Sequence, residues 1–468
     1  MAPDRPLLAM TASTGWAVRN FFQTGVVAGL LRDFRVLVIT TPAIHAKLVE
    51  QGYTHEVECI VRDDLAEPRS WRYMRQIRKK LYMDSRKSAT DAIWERYVQR
   101  PFYQRVGGWF MAAIVRLFDV RRLLRVAEFL DFRFNRSARA DAILALYQPE
   151  VVFATHASSY FEESLLHEAT RRRIPVVFMV LSWDHLSSKV VMSGRYDRVI
   201  VWNRITKAEI LRTSDAYDET EVSVVGVPQF DCYAGRPTQT YAQWCARHGL
   251  DPSRRTVLFS TMPQVRHDHQ HEIICQLLVA IREGRELPGD LQVLIKCHPF
   301  DNTDKYDPLL DGTFPVEIYR STLPIGQPQD DWFPSAEEMA VARDALYFCS
   351  VNINIFSTVT LEAAYLDKPI VHIAFDAGPV SNRIPCREYY RFDHFRNIAE
   401  SGASILVESY EELFAALRSS LQHPAQRAQQ RKALVDDYFH GAPGFAAQAV
   451  VDCIREFHDS RAGGRTGD

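Results

Sequence analysis

No run of apolar residues in this 468-residue chain is long enough to span a bilayer as a helix. The 8 cysteines are scattered, with no C-x-x-C pair and no zinc-ligand spacing. Reduced thiols in a cytosolic protein are therefore expected. The first residues, "MAPDRPLLAMTASTGW", lack the apolar core of a signal peptide, which fits a cytoplasmic location. A dominant charge is also missing. The formal net charge is −2, so nothing draws the whole molecule toward nucleic acid or an anionic membrane, and no nucleic-acid partner is expected. Internal repeats and low-complexity tracts are absent.

What the chain does have is apolar residues (47%) in short β-branched runs that alternate with longer amphipathic stretches. That alternation predicts α/β layers with parallel strands, and the length suggests two domains. Strands are expected at Leu7–Met10, Val36–Ile39, Val151–Thr155, Val176–Val180 and Arg198–Val201, with a last strand and turn in "SVVGVPQFDCY" (Ser223–Tyr233). A second series is expected at Thr256–Ser260, Gln292–Lys296, Ile353–Phe356, Ile370–Ala374 and Ser404–Val407. The polar stretch between the two series reads as a linker over 233–253. The expected organisation is a Rossmann-like domain over 1–232, a second over 254–440, and a tail over 441–468 whose helix returns to the first domain. In doubly wound sheets, ligands bind beyond the carboxyl ends of the strands.

Residues 69–139 depart from this pattern. They hold 18 Lys and Arg against 6 Asp and Glu, a net of +12 in an otherwise balanced chain. Within them "GGWFMAAIVRLFDVRRLLRVAEFL" (107–130) spaces its apolar residues by three and four, as an amphipathic basic helix does. Such an insertion either packs its apolar face on the first domain and solvates its arginines, or forms a surface that docks on anionic lipid or holds a lipid-diphosphate acceptor.

Two strand ends carry the chemistry. In "LIKCHPFD" (Leu294–Asp301), His298 follows a strand, Lys296 adds charge and Pro299 stiffens the turn. In "NINIFSTVTLEAAYLDKPIV" (Asn352–Val371), Ser357 and Thr358 sit where a helix starts, and free N–H groups there suit a phosphate. Glu362 lies about one turn further on, within reach of ribose hydroxyls. Taken alone, each feature is equally an ordinary cap or turn; together in one Rossmann-like half they favour phosphate binding. "RHDHQHEII" (Arg266–Ile274) clusters three His and two acids. A helix capped by Asp268 starts there, so His267, His269 and His271 do not converge and no metal site is expected. Arg266, just past a strand, suits a second phosphate clamp. No D-x-D pair stands at a strand end, and Asp330–Asp331 reads as a solvated loop.

The succession "GVPQFD", "FSTMPQ", "KCHP", "FSTVTLEAAYLDKPIV" over roughly 223–376 resembles the C-terminal half of GT-B glycosyltransferases. It is closest to CDP-glycerol glycerophosphotransferases and capsule or surface-polysaccharide transferases. The resemblance implies that His298, Pro299, Ser357 and Thr358 hold the donor diphosphate and that Glu362 binds its ribose. It implies a metal-independent transferase with no cofactor besides a nucleotide-activated donor, and a glycan or lipid-linked acceptor. GT-B enzymes often use a small-residue loop like Ser13–Thr14–Gly15 beside the diphosphate, which implicates Thr14 and Gly15. In "FMVLSWDHLSSK" the order Trp-Asp-His stands where the glycerophosphotransferases carry Trp-His-Gly. Asp184, His185 and, in "FATHASS", His156 are therefore the candidate bases. Two other readings share the fold: a nonhydrolysing sugar-nucleotide 2-epimerase, which needs cleft carboxylates, and a non-catalytic assembly protein.

Overall fold

The computed structural model describes residues 5–98, 108, 115, 117–155, 159–189, 192, 194–214, 216–321, 332–379, 383–441 and 444–464. Two all-parallel sheets organise them. The first has the order β3-β2-β1-β4-β5-β6-β7. Its strands are β1 (Leu7–Ala12), β2 (Arg35–Thr40), β3 (Glu58–Val61), β4 (Val151–Ala154), β5 (Val176–Met179), β6 (Arg198–Val201) and β7 (Val222–Val224). The second has the order β10-β9-β8-β11-β12-β13. Its strands are β8 (Arg255–Ser260), β9 (Leu291–Lys296), β10 (Val316–Tyr319), β11 (Val351–Asn354), β12 (Ile370–Ile373) and β13 (Ile405–Val407).

The central strands read as continuous apolar runs because helices cover both faces, so alternation disappears. The strand order reverses between β1 and β4 in one sheet and between β8 and β11 in the other. These are the points where a crevice opens beyond the carboxyl ends. The sequence reading missed β3 and β10. Both are edge strands, mostly part-exposed, and "ECIV" and "VEIY" are too short and too polar to stand out.

β7 ends at Val224 and β8 begins at Arg255, with a helix (Tyr241–Arg247) between them closed by a Thr240/Gln243 capping box. The last helix, Ala446–Gly464, lies on the first domain. Asp231 caps its start, accepting from the Ala447 N–H at 2.8 Å. Val451 presses so close to Gly29 that a Cβ there would sit 2.7 Å from its methyl.

The basic insertion is built on a helical pair, Arg69–Arg86 against Val120–Phe134. The helix expected over 107–130 has instead a fresh start at Asp119, whose carboxylate accepts from the Arg122 N–H at 2.8 Å. Arg78, fully buried, forms an ion pair with Asp131 Oδ2 at 2.9 Å and donates a hydrogen bond to Glu163 Oε1 at 2.8 Å, joining both helices to the first domain. Burial pushes the Glu163 and Asp131 carboxyls up, and the Arg78 charge holds them down. Arg78→Met leaves two buried carboxylates uncompensated, so a loss of about 3–5 kcal/mol is expected in urea denaturation. A loss below ~1 kcal/mol would show that the triad is solvated.

The insertion also reaches the second domain. Ser88 Oγ donates to Asp393 Oδ2 at 2.7 Å, and the Asp393 N–H donates back to Thr90 Oγ1 at 2.9 Å. Ile93, on the helix Ala89–Tyr97, is buried in the second domain's core. The apolar face of Val120–Phe134 is only partly used. Val126, Phe129 and Phe134 are exposed, and Leu117 just ahead of them is 78% exposed.

Candidate active site

The carboxyl ends of the two sheets face a shared cleft. It holds two adjoining cavities of ≈ 500 Å³ and ≈ 400 Å³, and Asp184, His298, Ser357 and Thr358 line both.

His298 is fixed by two bonds where β9 runs out. Its backbone N–H donates to Thr261 Oγ1 at 2.8 Å, and its Nδ1 accepts from the Phe300 N–H at 3.1 Å. The second bond places the ring proton on Nε2, leaving one N–H donor for the cleft. Burial, aided by the Lys296 charge, lowers His298 to about 3. The imidazole is therefore neutral at pH 7 and donates without bringing charge. Lys296 and Pro299 line the smaller cavity beside it.

β11 turns sharply as it leaves the sheet. Phe356 takes φ +47°, a conformation rare for a bulky residue. Its ring is clamped 5.1 Å from Tyr389 and 4.7 Å from Phe395, which over-determines the strained backbone. Ser357 and Thr358 follow directly and enter the helix Val359–Tyr365. Ser357 Oγ accepts from the Val359 N–H at 3.3 Å, while the Thr358 hydroxyl makes no capping bond. A buried polar net anchors this turn from below. Asn352 Nδ2 donates to Ser260 Oγ at 3.1 Å, Asn354 Nδ2 to Asn352 Oδ1 at 2.8 Å, and Thr360 pairs with His372 Nε2 at 2.8 Å. Satisfied networks of this kind make a rigid floor.

Glu362 lies one turn along the same helix, where its Oε2 accepts from the Tyr233 hydroxyl at 2.6 Å. Burial and that carboxylate push the Tyr233 phenol well above its ordinary range. Arg19 completes the wall from the first domain. It lies over the Trp16 ring at 4.5 Å and donates to Gln229 Oε1. Burial lowers it to about 10, with Glu362 opposing, so it stays charged at pH 7.

The opposite wall carries Asp184, whose Oδ1 accepts from Ser182 Oγ at 2.5 Å, and His185, which starts the turn His185–Lys189. Arg266 lines the larger cavity. Its guanidinium lies 4.9 Å over Trp94 and 5.8 Å over Tyr389, and its Nη1 is buried with no protein partner.

Of the residues singled out in the sequence, Asp184, His185, Arg266, Lys296, His298, Pro299, Ser357, Thr358 and Glu362 all line the cleft. His156 lies outside the described residues. Thr14 and Gly15 line neither cavity, because their loop is committed elsewhere. Ser13 Oγ donates to buried Glu162 at 2.6 Å, Thr14 Oγ1 accepts from the Ala17 N–H at 3.4 Å, and a Cβ on Gly15 would sit 2.1 Å from the Trp332 carbonyl. The contact passes to the next residue, Trp16, and, one turn on, to Arg19. Arg19 was missed, although its four-residue spacing from Gly15 puts both on one helical face. Asp268 is not the N-cap expected; it accepts from Gln264 Nε2 at 2.9 Å, and the helix Gln270–Glu283 starts after His269 without a side-chain cap.

Two facing Rossmann-like domains, with strand-end loops converging on one interdomain cleft, define the GT-B arrangement of nucleotide-dependent transferases and epimerases. A UDP-GlcNAc 2-epimerase from Neisseria meningitidis, solved with UDP-GlcNAc, is similar at a TM-score of 0.57 and 11% identity, over 96% of this chain and 100% of that one. A UDP-GlcNAc 2-epimerase from Methanocaldococcus jannaschii is similar at 0.53 and 11%, over 96% and 99%. At such identity these likenesses speak to fold. No curated protein matches the chain. The model of the CDP-Glycerol:Poly(glycerophosphate) glycerophosphotransferase family matches residues 184–456, and the chain belongs to that family, a family of transferases.

Proposed function

We propose that the protein transfers a sugar or polyol-phosphate from a nucleotide-diphosphate or CMP donor to a cell-surface glycan or lipid-linked acceptor. One observation carries this reading: His298, Ser357, Thr358 and Glu362 of one domain meet Asp184 and His185 of the other across a single cleft. In this reading His298 Nε2–H, the two hydroxyls and Lys296 receive the leaving phosphate, and Arg266 supplies its unpartnered N–H. Glu362 takes the ribose, with the Tyr233 hydroxyl fixing its carboxylate and the Arg19 charge acting on it from further off. Asp184 accepts the proton of the acceptor hydroxyl. The similar epimerase structure solved with UDP-GlcNAc favours a nucleotide in this place, and binding identifies the base.

The test is a thermal-shift panel of CDP, CMP, UDP, GDP and ADP on the full chain. A cognate nucleotide at 100 times its dissociation constant adds about 2.7 kcal/mol of stability. A flat panel would remove the donor site. Turnover of donor with no acceptor present would make the protein an isomerase instead.

The acceptor side has its own support. A third cavity of ≈ 670 Å³ opens beyond Trp183; Lys87, Arg121, Arg212 and Arg396 line it together with Asp393 and the Arg86–Glu209 ion pair, a net positive lining. That lining suits an acceptor carrying phosphate. On the outside of the insertion, exposed Phe129 and Phe134 stand with exposed Arg121, Arg122, Arg125 and Arg133. This mixture suits an anionic lipid interface, where each basic residue is worth about 1 kcal/mol. No helix among the described residues is long and apolar enough to cross a membrane. Flotation with vesicles containing phosphatidylglycerol is expected to recover the protein at low salt and to lose it at high salt. Phe129→Ser together with Arg125→Gln is expected to abolish recovery. Equal recovery with neutral vesicles would count against the lipid contact.

A further inference from the structure

Behind the donor wall lies a second cluster of ligating side chains. His267, the residue after Arg266, is turned away from the cleft and is completely buried. Neither of its ring nitrogens has a hydrogen-bond partner. A buried imidazole with both nitrogens unsatisfied is a costly arrangement in a folded protein, and it calls for a missing partner. Two other ligand types face it. Asp376 and Cys386 bracket the loop after β12, and one ligand atom from each of the three residues lies within 4.8 Å of the others. Cys386 is a free, fully buried thiol, and its backbone N–H donates to Asp376 Oδ2 at 3.1 Å, which fixes the carboxylate in the group.

We propose that His267, Asp376 and Cys386 bind one Zn²⁺ ion. A neutral imidazole, a thiolate and a carboxylate together cancel the charge of a divalent cation, which a buried site requires. A mixed N, S, O set is the borderline-soft set that zinc takes, and the hard cations magnesium and calcium avoid thiolate. Ligands at ~2.0–2.3 Å from a common ion lie about 3.5 Å apart in a tetrahedron, so the observed spread closes with small side-chain adjustments. The nearby cations do not block it: Arg383 donates to the Pro379 carbonyl at 2.8 Å, and Lys305 bonds Asp301 at 2.9 Å. Asp376 is the only one of the three that is not fully buried, so the fourth position, filled by water, faces its side.

The role of such an ion is a clip. It ties the loop after β8, which carries Arg266 into the cleft, to the loop after β12, which leads to Tyr389, over which Arg266 lies. The ion does not touch the donor, so the expectation of metal-independent transfer and the presence of a structural zinc are compatible. The three histidines of "RHDHQH" do not converge, as the sequence indicated; His269 and His271 stack on each other while His267 turns inward. The missing ligands come from more than a hundred residues further along the chain.

The three ligands come together only in the folded chain, so the ion is taken up on folding. The full chain, without a polyhistidine tag, is expressed in zinc- or cobalt-supplemented medium and its metal content measured after extensive dialysis. One zinc per chain is expected in the wild type, with at least a fivefold loss in Cys386→Ser and in His267→Gln. The cobalt-grown protein is expected to show thiolate-to-Co²⁺ charge-transfer absorption. That readout needs no variant, so it decides the matter even where a substitution prevents folding. Metal below a tenth of an equivalent in the wild type, cobalt protein without a thiolate band, or full metal retained in well-folded Cys386→Ser would each overturn the proposal.

Discussion

Replacing His298 by alanine is expected to lower turnover about a hundred- to a thousandfold, the range found on removing one preorganised donor to a developing oxyanion. The effect is large because the donor is already aimed. Its Nδ1 is held by the Phe300 N–H, so Nε2–H needs no reorganisation when charge builds on the leaving phosphate. Stability is expected to change by only about 1 kcal/mol, since one backbone bond loses its partner at a part-exposed turn. Steady-state kinetics with donor and acceptor, beside a melting curve, separates the two effects. His298→Asn keeps an acceptor and an N–H donor in the turn and is expected to recover part of the rate. Unchanged turnover in His298→Ala would remove this residue from the diphosphate site.

Asp184→Asn is the second large effect. A positioned base contributes about 10²–10⁴-fold, and an amide cannot accept the acceptor's proton. Asp184 is chosen over His185 because it lines both cavities, whereas His185 lines only the smaller one. His185→Gln is therefore expected to cost less than about tenfold. Nucleotide binding should survive in Asp184→Asn, because the donor contacts come from the other domain. The reverse order of effects would move the base to His185, and two mild effects would direct attention to His156.

Much of the donor wall was legible because its residues are close in sequence. "KCHP" and "FSTVTLE" each hold strand end, turn and helix start within a few positions, so local chemistry announced the site. Arg266 was legible for the same reason, as a cation one turn past β8. The first-domain wall was harder. Thr14 and Gly15 looked like a phosphate loop, but Glu162, about 150 residues away, takes the Ser13 hydroxyl, and Trp332 takes the space beside Gly15. Arg19 and Tyr233 became site residues only when the two sheets were brought face to face.

By itself, then, the sequence determined the periodicity of the elements, the two parallel sheets, and the residues that stand at the ends of β9 and β11. These depend on side chains within a few residues of one another, and burial on both sheet faces writes itself as apolar runs. Tertiary structure alone decided three other things. The insertion bridges both domains because Asp393, some 300 residues on, caps its second helix. The cleft has its charge pattern because Arg19 of one domain meets Glu362 and Tyr233 near the linker. His267 finds Asp376 and Cys386 because the loops after β8 and β12, on either side of β11, close over it. Each is a meeting of groups distant in the chain, and packing free energy, with no local signature, selects it.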